Sequence, residues 1–174
     1  GDEHTYRTFL RRSGNWATLF DTTRNLIEPR DEQGRFVVAA SSGEGQLGFQ
    51  EGSAEQYTWV VPQDQSGLIR AHGGDASVVR HLDAFFGTLP EHDGDWGTPY
   101  IALNNEPSFG APFLYLSAHK PSRAQEIVRL IETKYFDNAP GGVPGNDDLG
   151  AMSAMYVWEV CGFYPQTPGT ATLD

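Results

Sequence analysis

Three stretches of this chain carry carboxylates beside glycine or proline. They are Phe49-Gln-Glu51-Gly-Ser-Ala-Glu55-Gln56-Tyr57-Thr-Trp59, Leu103-Asn104-Asn105-Glu106-Pro107-Ser108, and Gly142-Val-Pro-Gly145-Asn146-Asp147-Asp148-Leu-Gly150. Turn residues of this kind place acids in loops, where the backbone can aim them at a ligand, rather than on a solvated helix face. Two carboxylates can divide glycoside hydrolysis, one protonating the leaving oxygen while the other activates water or attacks the anomeric carbon. Glu51 and Asp148 are the candidates for that pair. Each also has a purely structural reading, Glu51 as an acid at a helix start and Asp148 as an N-cap.

The same loops offer Asn105, Glu106, Asp147 and Asp148 as hard oxygen donors, the type calcium prefers. No dense acidic loop of the EF-hand kind is present, so a calcium site would have to be assembled from separate loops; capping is the alternative role for Asn105-Glu106-Pro107. The five histidines (His4, His72, His81, His92 and His119) show no paired metal spacing. Gly141-Gly-Val-Pro-Gly145 lacks the order of a phosphate cradle, which argues against nucleotide binding. Cys161, the single cysteine, excludes an internal disulfide and is expected to be buried in a helix. Trp16, Trp59, Trp96 and Trp158 could stack on sugars, although Trp59 and Trp158 have core spacing.

Positioning these loops is the work of helices. Apolar residues recur at helical spacing, so the chain is mainly α, with strand character only near Phe36-Val37-Val38 and at the C-terminal tail. The spacing predicts a helix over 3–19 with Tyr6, Phe9, Leu10 and Trp16 inward, then a long connection over 20–50. Ser53-Ala-Glu-Gln56 has the spacing of a capping box opening a helix near Ala54 that runs to about Val61. Further helices are predicted over 65–72, 76–86, from Pro107 to about Ala118, from Pro121 with Ile127, Leu130, Ile131 and Tyr135 on one face, and over 150–161 with Asp148 as N-cap. Six helices in antiparallel pairs make an α/α-hairpin array.

The chain has 174 residues, 39% of them hydrophobic and 12% aromatic, enough to bury an ordinary core. By its ends it reads as part of a larger domain. Its net charge of −11, with eight acids against Arg70 and Arg80 over residues 51–100, argues against a nucleic-acid partner. No apolar stretch approaches the roughly 20 residues of a membrane span.

Laid out in order, these motifs resemble the C-terminal catalytic domain of the glycoside hydrolase family 92 exo-α-mannosidases. The resemblance runs almost end to end. Its carriers are Asn15-Trp-Ala-Thr-Leu-Phe-Asp21 with Pro29-Arg30, the segment Glu51 to Pro62 with Asp64 and Gly67-Leu-Ile69, Gly73-Gly74, Asn105-Glu-Pro-Ser108 with Tyr115, and Gly142 to Ser153 followed by Gly162-Phe-Tyr-Pro165. The resemblance implies a fragment of an (α/α)6 barrel, with the rest of the barrel and an N-terminal β-sandwich lying elsewhere in the parent polypeptide. It implies calcium-dependent, inverting hydrolysis of terminal α-mannosides of glycans, with an α-1,2-type linkage expected, by a secreted, periplasmic or cell-surface enzyme. By similarity Glu51 is the general acid, Asp148 the base with Asp147 assisting, Asn105, Glu106 and Asp148 the calcium residues, and Gln56, Asn104 and Asn146 the substrate-binding residues. An inverting pair predicts roughly 6.5–9.5 Å between the carboxyl groups. Departures are Glu55, where many relatives have Trp, and Leu103-Asn104 and Phe109-Gly110, where they have histidines; these put the linkage preference in question. A non-catalytic carbohydrate-binding or structural piece and another inverting (α/α)6 glycosidase are the competing readings, separated by calcium dependence.

Overall fold

A computed structural model describes residues 2–38, 41–42, 45–91, 94 and 96–173. Among them the fold is helical: α1 (Glu3–Arg12), α2 (Ala54–Tyr57), α3 (Gln65–Ala71), α4 (Asp75–Phe86), α5 (Leu114–Ser117), α6 (Pro121–Tyr135) and α7 (Ala151–Cys161). Four two-residue strands form two antiparallel pairs, β1 (Phe20–Asp21) with β2 (Leu26–Ile27) and β3 (Ser41–Ser42) with β4 (Gly45–Gln46). His92 and Asp95, in the turn-rich stretch after α4, lie outside the described residues.

The long helices follow their apolar spacing. In α4, Val78, Leu82, Phe85 and Phe86 recur at i, i+4, i+7 and i+8 and are all buried, an apolar stripe of the width a core-facing helix needs. Pro121 occupies the first turn of α6, where its missing N–H costs nothing, and Ala124, Ile127 and Ile131 turn inward. α3 packs on α4 and α5, and α6 packs on α5 and α7. Their shared core holds Leu68, Leu82, Leu114, Tyr115, Ile131 and Met152, each 0–1% exposed. Burying one such leucine contributes about 1.5–3 kcal/mol. Tyr115 donates its hydroxyl to Asp83 at 2.7 Å, and Arg123 holds the same carboxylate oxygen at 2.8 Å, which ties α4 to α5 and α6. Burial, then the Asp83 bond, pushes the Tyr115 hydroxyl far up in pKa.

Several expectations change. The helix expected over 3–19 breaks at Ser13-Gly14 into α1 and a 3-10 turn (Asn15–Leu19). Tyr6, Phe9 and Leu10 are 57–60% exposed and only Trp16 is half-buried against the core, so the apolar side of α1 has no partner among the described residues. Leu130 is exposed on α6 while Ile127 and Ile131 are buried. The helix expected from Pro107 to Ala118 is a 3-10 turn (Glu106–Ser108), irregular backbone and then α5. The helix from Ala54 stops at Tyr57, well before Pro62. Phe36-Val37-Val38 makes only an isolated bridge from Phe36 to Arg30, and residues 170–173 form no strand. Cys161 is exposed at the end of α7. Lone apolar spacing names a face, whereas exposure depends on which neighbours arrive to cover it.

The long connection over 20–50 builds a platform behind Glu51. Asp21 accepts from the backbone N–H and hydroxyl of Thr23 at 2.8 and 2.7 Å, closing the turn between β1 and β2. The Ile27 N–H then donates to Thr58 Oγ1 at 2.8 Å, fastening β2 to α2. Next to it Glu28 is completely buried and bound to Arg24.

Candidate active site

The Glu51 loop is closed from both ends. Gln46 in β4 donates its N–H to the Gly52 carbonyl and accepts the Ala54 N–H on its side-chain oxygen, both at 2.8 Å. Gly45, at φ +113°, runs so close to the loop that a Cβ there would meet the Gly52 nitrogen at 2.8 Å. Ser53 and Gln56 form the expected capping box, with Ser53 Oγ accepting from the Gln56 N–H and Gln56 Oε1 accepting from the Ser53 N–H. Tyr57 donates its hydroxyl to the Gln50 carbonyl at 2.6 Å. Held this way, Glu51 sits at φ +49°, a left-handed conformation that costs a non-glycine residue energy and persists where the surroundings impose it. Its side chain is half-buried.

Asn105 reaches across to this loop. Its Nδ2 donates to the Glu51 carbonyl at 3.2 Å and to Glu51 Oε2 at 3.3 Å, while its Oδ1 caps the 3-10 turn by accepting the Glu106 N–H at 3.1 Å. The capping role and the site role therefore fall on opposite ends of one amide. Glu106 projects from the first position of that turn and is exposed. Tyr57 registers both acids: burial first, then the charges of Glu51 and Glu106, push its hydroxyl up in pKa.

The third loop arrives by close backbone approach. A Cβ on Gly145 would lie 2.7 Å from Asn104 Cα and 2.8 Å from the Asn104 carbonyl, and Gly145 takes φ +62°, so glycine is required there. Asn104 itself donates Nδ2 to the Gly94 carbonyl at 3.2 Å, while its Oδ1 is buried with no hydrogen-bond partner among the described residues. Beyond Gly145, Asn146 is exposed, and Asp147, Asp148 and Leu149 all take positive φ (59°, 29° and 59°) before Gly150 opens α7. Three consecutive non-glycine residues in this region are a strained turn of the sort found at functional sites.

The two aspartates divide their roles. Asp147 Oδ1 accepts from the backbone N–H and the hydroxyl of Ser153, each at 2.9 Å, so it caps the first turn of α7 from outside the helix. The residue before α7 is Gly150, and Asp148 is not the N-cap. Asp148 is exposed, and its carboxylate accepts no hydrogen bond from the described residues. Gln56, expected near substrate, is 2% exposed and has its amide engaged at both ends, the Nε2 donating to the Tyr100 carbonyl at 3.1 Å. Its position fastens residues 98–100 to α2.

Tyr57, Ser153 and the Gly145–Asn104 approach had no role in the sequence reading. Tyr57 stands in the first acidic motif six positions after Glu51, and Ser153 is third in α7, the position whose N–H a cap satisfies, although the helix expected over 150–161 made it fourth. Among the described residues no three His, Cys, Asp or Glu side chains converge as a metal site.

With three acid-bearing loops brought together at Asn104-Asn105, comparison with known proteins decides the family. Residues 1–173 match the glycosyl hydrolase family 92 catalytic domain. The chain belongs to that family. A family GH92 α-mannosidase from Bacteroides thetaiotaomicron, solved in complex with mannoimidazole, superposes with a TM-score of 0.84 at 32% identity over 99% of this chain and 24% of its own. A family GH92 inverting mannosidase from the same organism superposes with a TM-score of 0.77 at 25% identity over 94% of this chain and 24% of its own. An uncharacterized secreted glycosidase of Arthroderma benhamiae is 30% identical over 97% of this chain and 23% of its own length. The chain thus spans about a quarter of the relatives it matches. The family 92 catalytic domain is an (α/α)6 barrel, and the helices described above are part of one.

Proposed function

We propose that the full polypeptide carrying these residues is an inverting exo-α-mannosidase that removes terminal α-linked mannose from glycans. The observation that carries this reading is the Asn105 bridge to Glu51, with the Gly145 loop seated against Asn104: acids 55 to 97 positions after Glu51 in sequence sit in adjoining loops. The mannosidase relatives support mannose as the sugar removed.

Glu51 is the general acid. It gives its proton to the glycosidic oxygen as the bond from that oxygen to the anomeric carbon breaks. Asp148 is the base and takes a proton from the water that attacks the opposite face, so the sugar leaves with inverted configuration. Asp147 positions Asp148 by anchoring the turn to Ser153 and α7. Asn105 orients the Glu51 carboxylate, and Gln56 holds the scaffold beneath it. Asn104 and Asn146 border the sugar, Asn104 through an amide oxygen that has no partner among the described residues.

The donor chemistry fits calcium. Among the described residues Glu106 and Asp148 are exposed carboxylates, Asn104 Oδ1 is a buried oxygen lacking a partner, and these loops supply hard oxygen rather than nitrogen or sulfur. Asn105, Glu106 and Asp148 would hold the ion together with residues from the rest of the barrel. Bound there, calcium would supply a Lewis-acidic contact for sugar hydroxyls. The β-sandwich and remaining barrel helices belong to the parent polypeptide in this reading, and export is supported by the secreted fungal relative.

The test is mannose release from a panel of α-linked mannobioses by the full-length polypeptide, with calcium and with chelator. Calcium-dependent release with the α-1,2-linked disaccharide preferred is expected. Glu51→Gln should lower kcat/KM about 10²- to 10⁴-fold on these poor leaving groups and far less on an activated aryl mannoside. Full activity in excess chelator would remove calcium from the mechanism, and no release of mannose from any linkage would overturn the reading.

A further inference from the structure

Away from the acidic loops, α5, α6 and α7 line a half-open cavity of about 400 Å³ walled by Phe113, Leu116, Val128 and Phe163. Two carboxylates line it, Glu132 from α6 and Glu159 from α7. Glu159 is 5% exposed, and neither of its oxygens has a hydrogen-bond partner among the described residues. A buried carboxylate with both oxygens unmatched is costly in either protonation state, because desolvation penalises the charge and the neutral acid still lacks its hydrogen bonds. Glu132, its side chain 11% exposed, adds a second acid of the same sign. Among the described residues the only basic side chain lining the cavity is Arg129, which is three-quarters exposed and engaged with Glu132 at 3.3 Å. Tyr164, whose ring stacks on Phe113 at 4.4 Å, is a further titratable neighbour, its hydroxyl pushed up in pKa by burial and then by Glu159.

The outer side of α7 points the same way. Val157 and Val160 are each 58% exposed beside Glu159, and a helix apolar on all sides is one that other chain covers. The matched relatives extend well beyond the portion this chain spans. We propose that the α6–α7 cavity is a docking socket for a basic side chain, an arginine guanidinium or lysine ammonium, carried by the parent polypeptide outside residues 1–174, with Glu159 and Glu132 as its counter-ions. The apolar walls accommodate the methylene stem of such a side chain while the acids meet its head. This socket is independent of the proposed mannosidase reaction and is read by stability rather than turnover.

Without a cation, Glu159 titrates near pH 8, pushed up by burial and then by the Glu132 charge. A carboxyl group raised in the folded state loses stabilisation as pH rises from the unfolded value of 4.5 towards 8, so the wild type would fall below Glu159→Gln across that window. A cation reverses the sign. The folded value then drops below the unfolded one, the contribution is complete above pH 4.5, and it is lost as pH falls below that. The experiment is thermal unfolding of the full-length polypeptide and its Glu159→Gln variant from pH 3 to 9. The expected result is a wild-type midpoint several degrees above the variant from pH 5 to 9, with the gap closing as pH falls below 4.5. A gap that turns in favour of Glu159→Gln as pH rises to 8, or no pH-dependent gap, overturns the socket. Should Glu159→Gln fail to fold, Glu132→Gln reads the same sign: its midpoint relative to wild type falls as pH rises if a cation is seated, and climbs if Glu159 is merely relieved of a like charge.

Discussion

Asn105 donates from one amide nitrogen to both the backbone carbonyl and the carboxylate of Glu51, 54 positions earlier in the chain. This pair fixes the backbone of a residue in a strained left-handed conformation and the direction of its side chain together. Asn105→Ala removes both bonds and the cap on Glu106. A misplaced catalytic group costs on the order of 100-fold, so kcat is expected to fall by about that factor. Steady-state kinetics on a mannobiose check it. A purely structural role for Asn105 would lower the unfolding midpoint while leaving the pH–rate profile of the surviving enzyme in place, whereas loss of orientation displaces its alkaline limb, the limb that the general acid Glu51 sets.

Gly145 is the point of closest approach between the second and third acidic loops. Gly145→Ala places a methyl group 2.7 Å from Asn104 Cα at a φ that disfavours alanine, so the loops must separate. The variant should lose at least 10-fold in kcat/KM, a magnitude on the order expected for displaced catalytic groups. Gly141→Ala is the control: among the described residues no atom beyond its chain neighbours lies within 4 Å of its Cβ position, and turnover and unfolding midpoint should match wild type. Equal behaviour of the two variants would show that the loop contact is dispensable.

The aspartates separate by their partners. Asp147→Ala deletes the acceptor of the Ser153 N–H and hydroxyl, and loss of such a cap costs about 1 kcal/mol of stability. Asp147→Asn keeps an oxygen there and should retain most of that stability. Asp148→Asn touches no hydrogen bond to its carboxylate and should leave the unfolding midpoint unchanged while abolishing most turnover. Chemical denaturation and mannose release, run on all three, assign the base; retained activity in Asp148→Asn transfers that role to Asp147.

His72 gives the fold a pH dependence of its own. It is buried between Trp59, stacked at 5.3 Å, and Phe20, with Nδ1 at 2.9 Å from Nδ1 of His81. Burial first, then the neighbouring His81, pushes its pKa down to about 4 from 6.5. The folded state therefore binds the proton less readily than the unfolded chain. Its contribution is complete above pH 6.5 and is lost as pH falls towards 4. Thermal midpoints of the full-length polypeptide should drop over that window, and His72→Gln should flatten the drop even if it lowers the plateau. An unchanged slope in the variant would assign the acid sensitivity to other groups.

Much of the local organisation was legible in the residues. The capping box at Ser53–Gln56, the stripe of α4, Pro121 at the head of α6 and the three acid-bearing loops follow from rules that act over a few positions, where side chain and backbone meet within one turn. The order of motifs also carried the family. Tyr6, Phe9, Leu10 and Leu130 were assigned inward and are exposed, because spacing defines a face without defining its cover. Asp148 had the sequence position of an N-cap, yet Asp147 took that work, since three successive left-handed residues rotate the turn and carry one carboxylate back to Ser153.

The sequence by itself determined which residues could perform acid–base and hard-oxygen chemistry, that helices would carry them, and that the chain resembles family 92. Tertiary structure alone decided that Asn105 grips Glu51, that Gly145 lies against Asn104, and that Glu159 is left buried beside a second acid. The reason is physical: helix and turn propensities are summed over neighbours in the chain, whereas the contacts of residue 51 with 105 and of residue 104 with 145 exist only after the core of α3 to α7 has closed and brought their loops to one place.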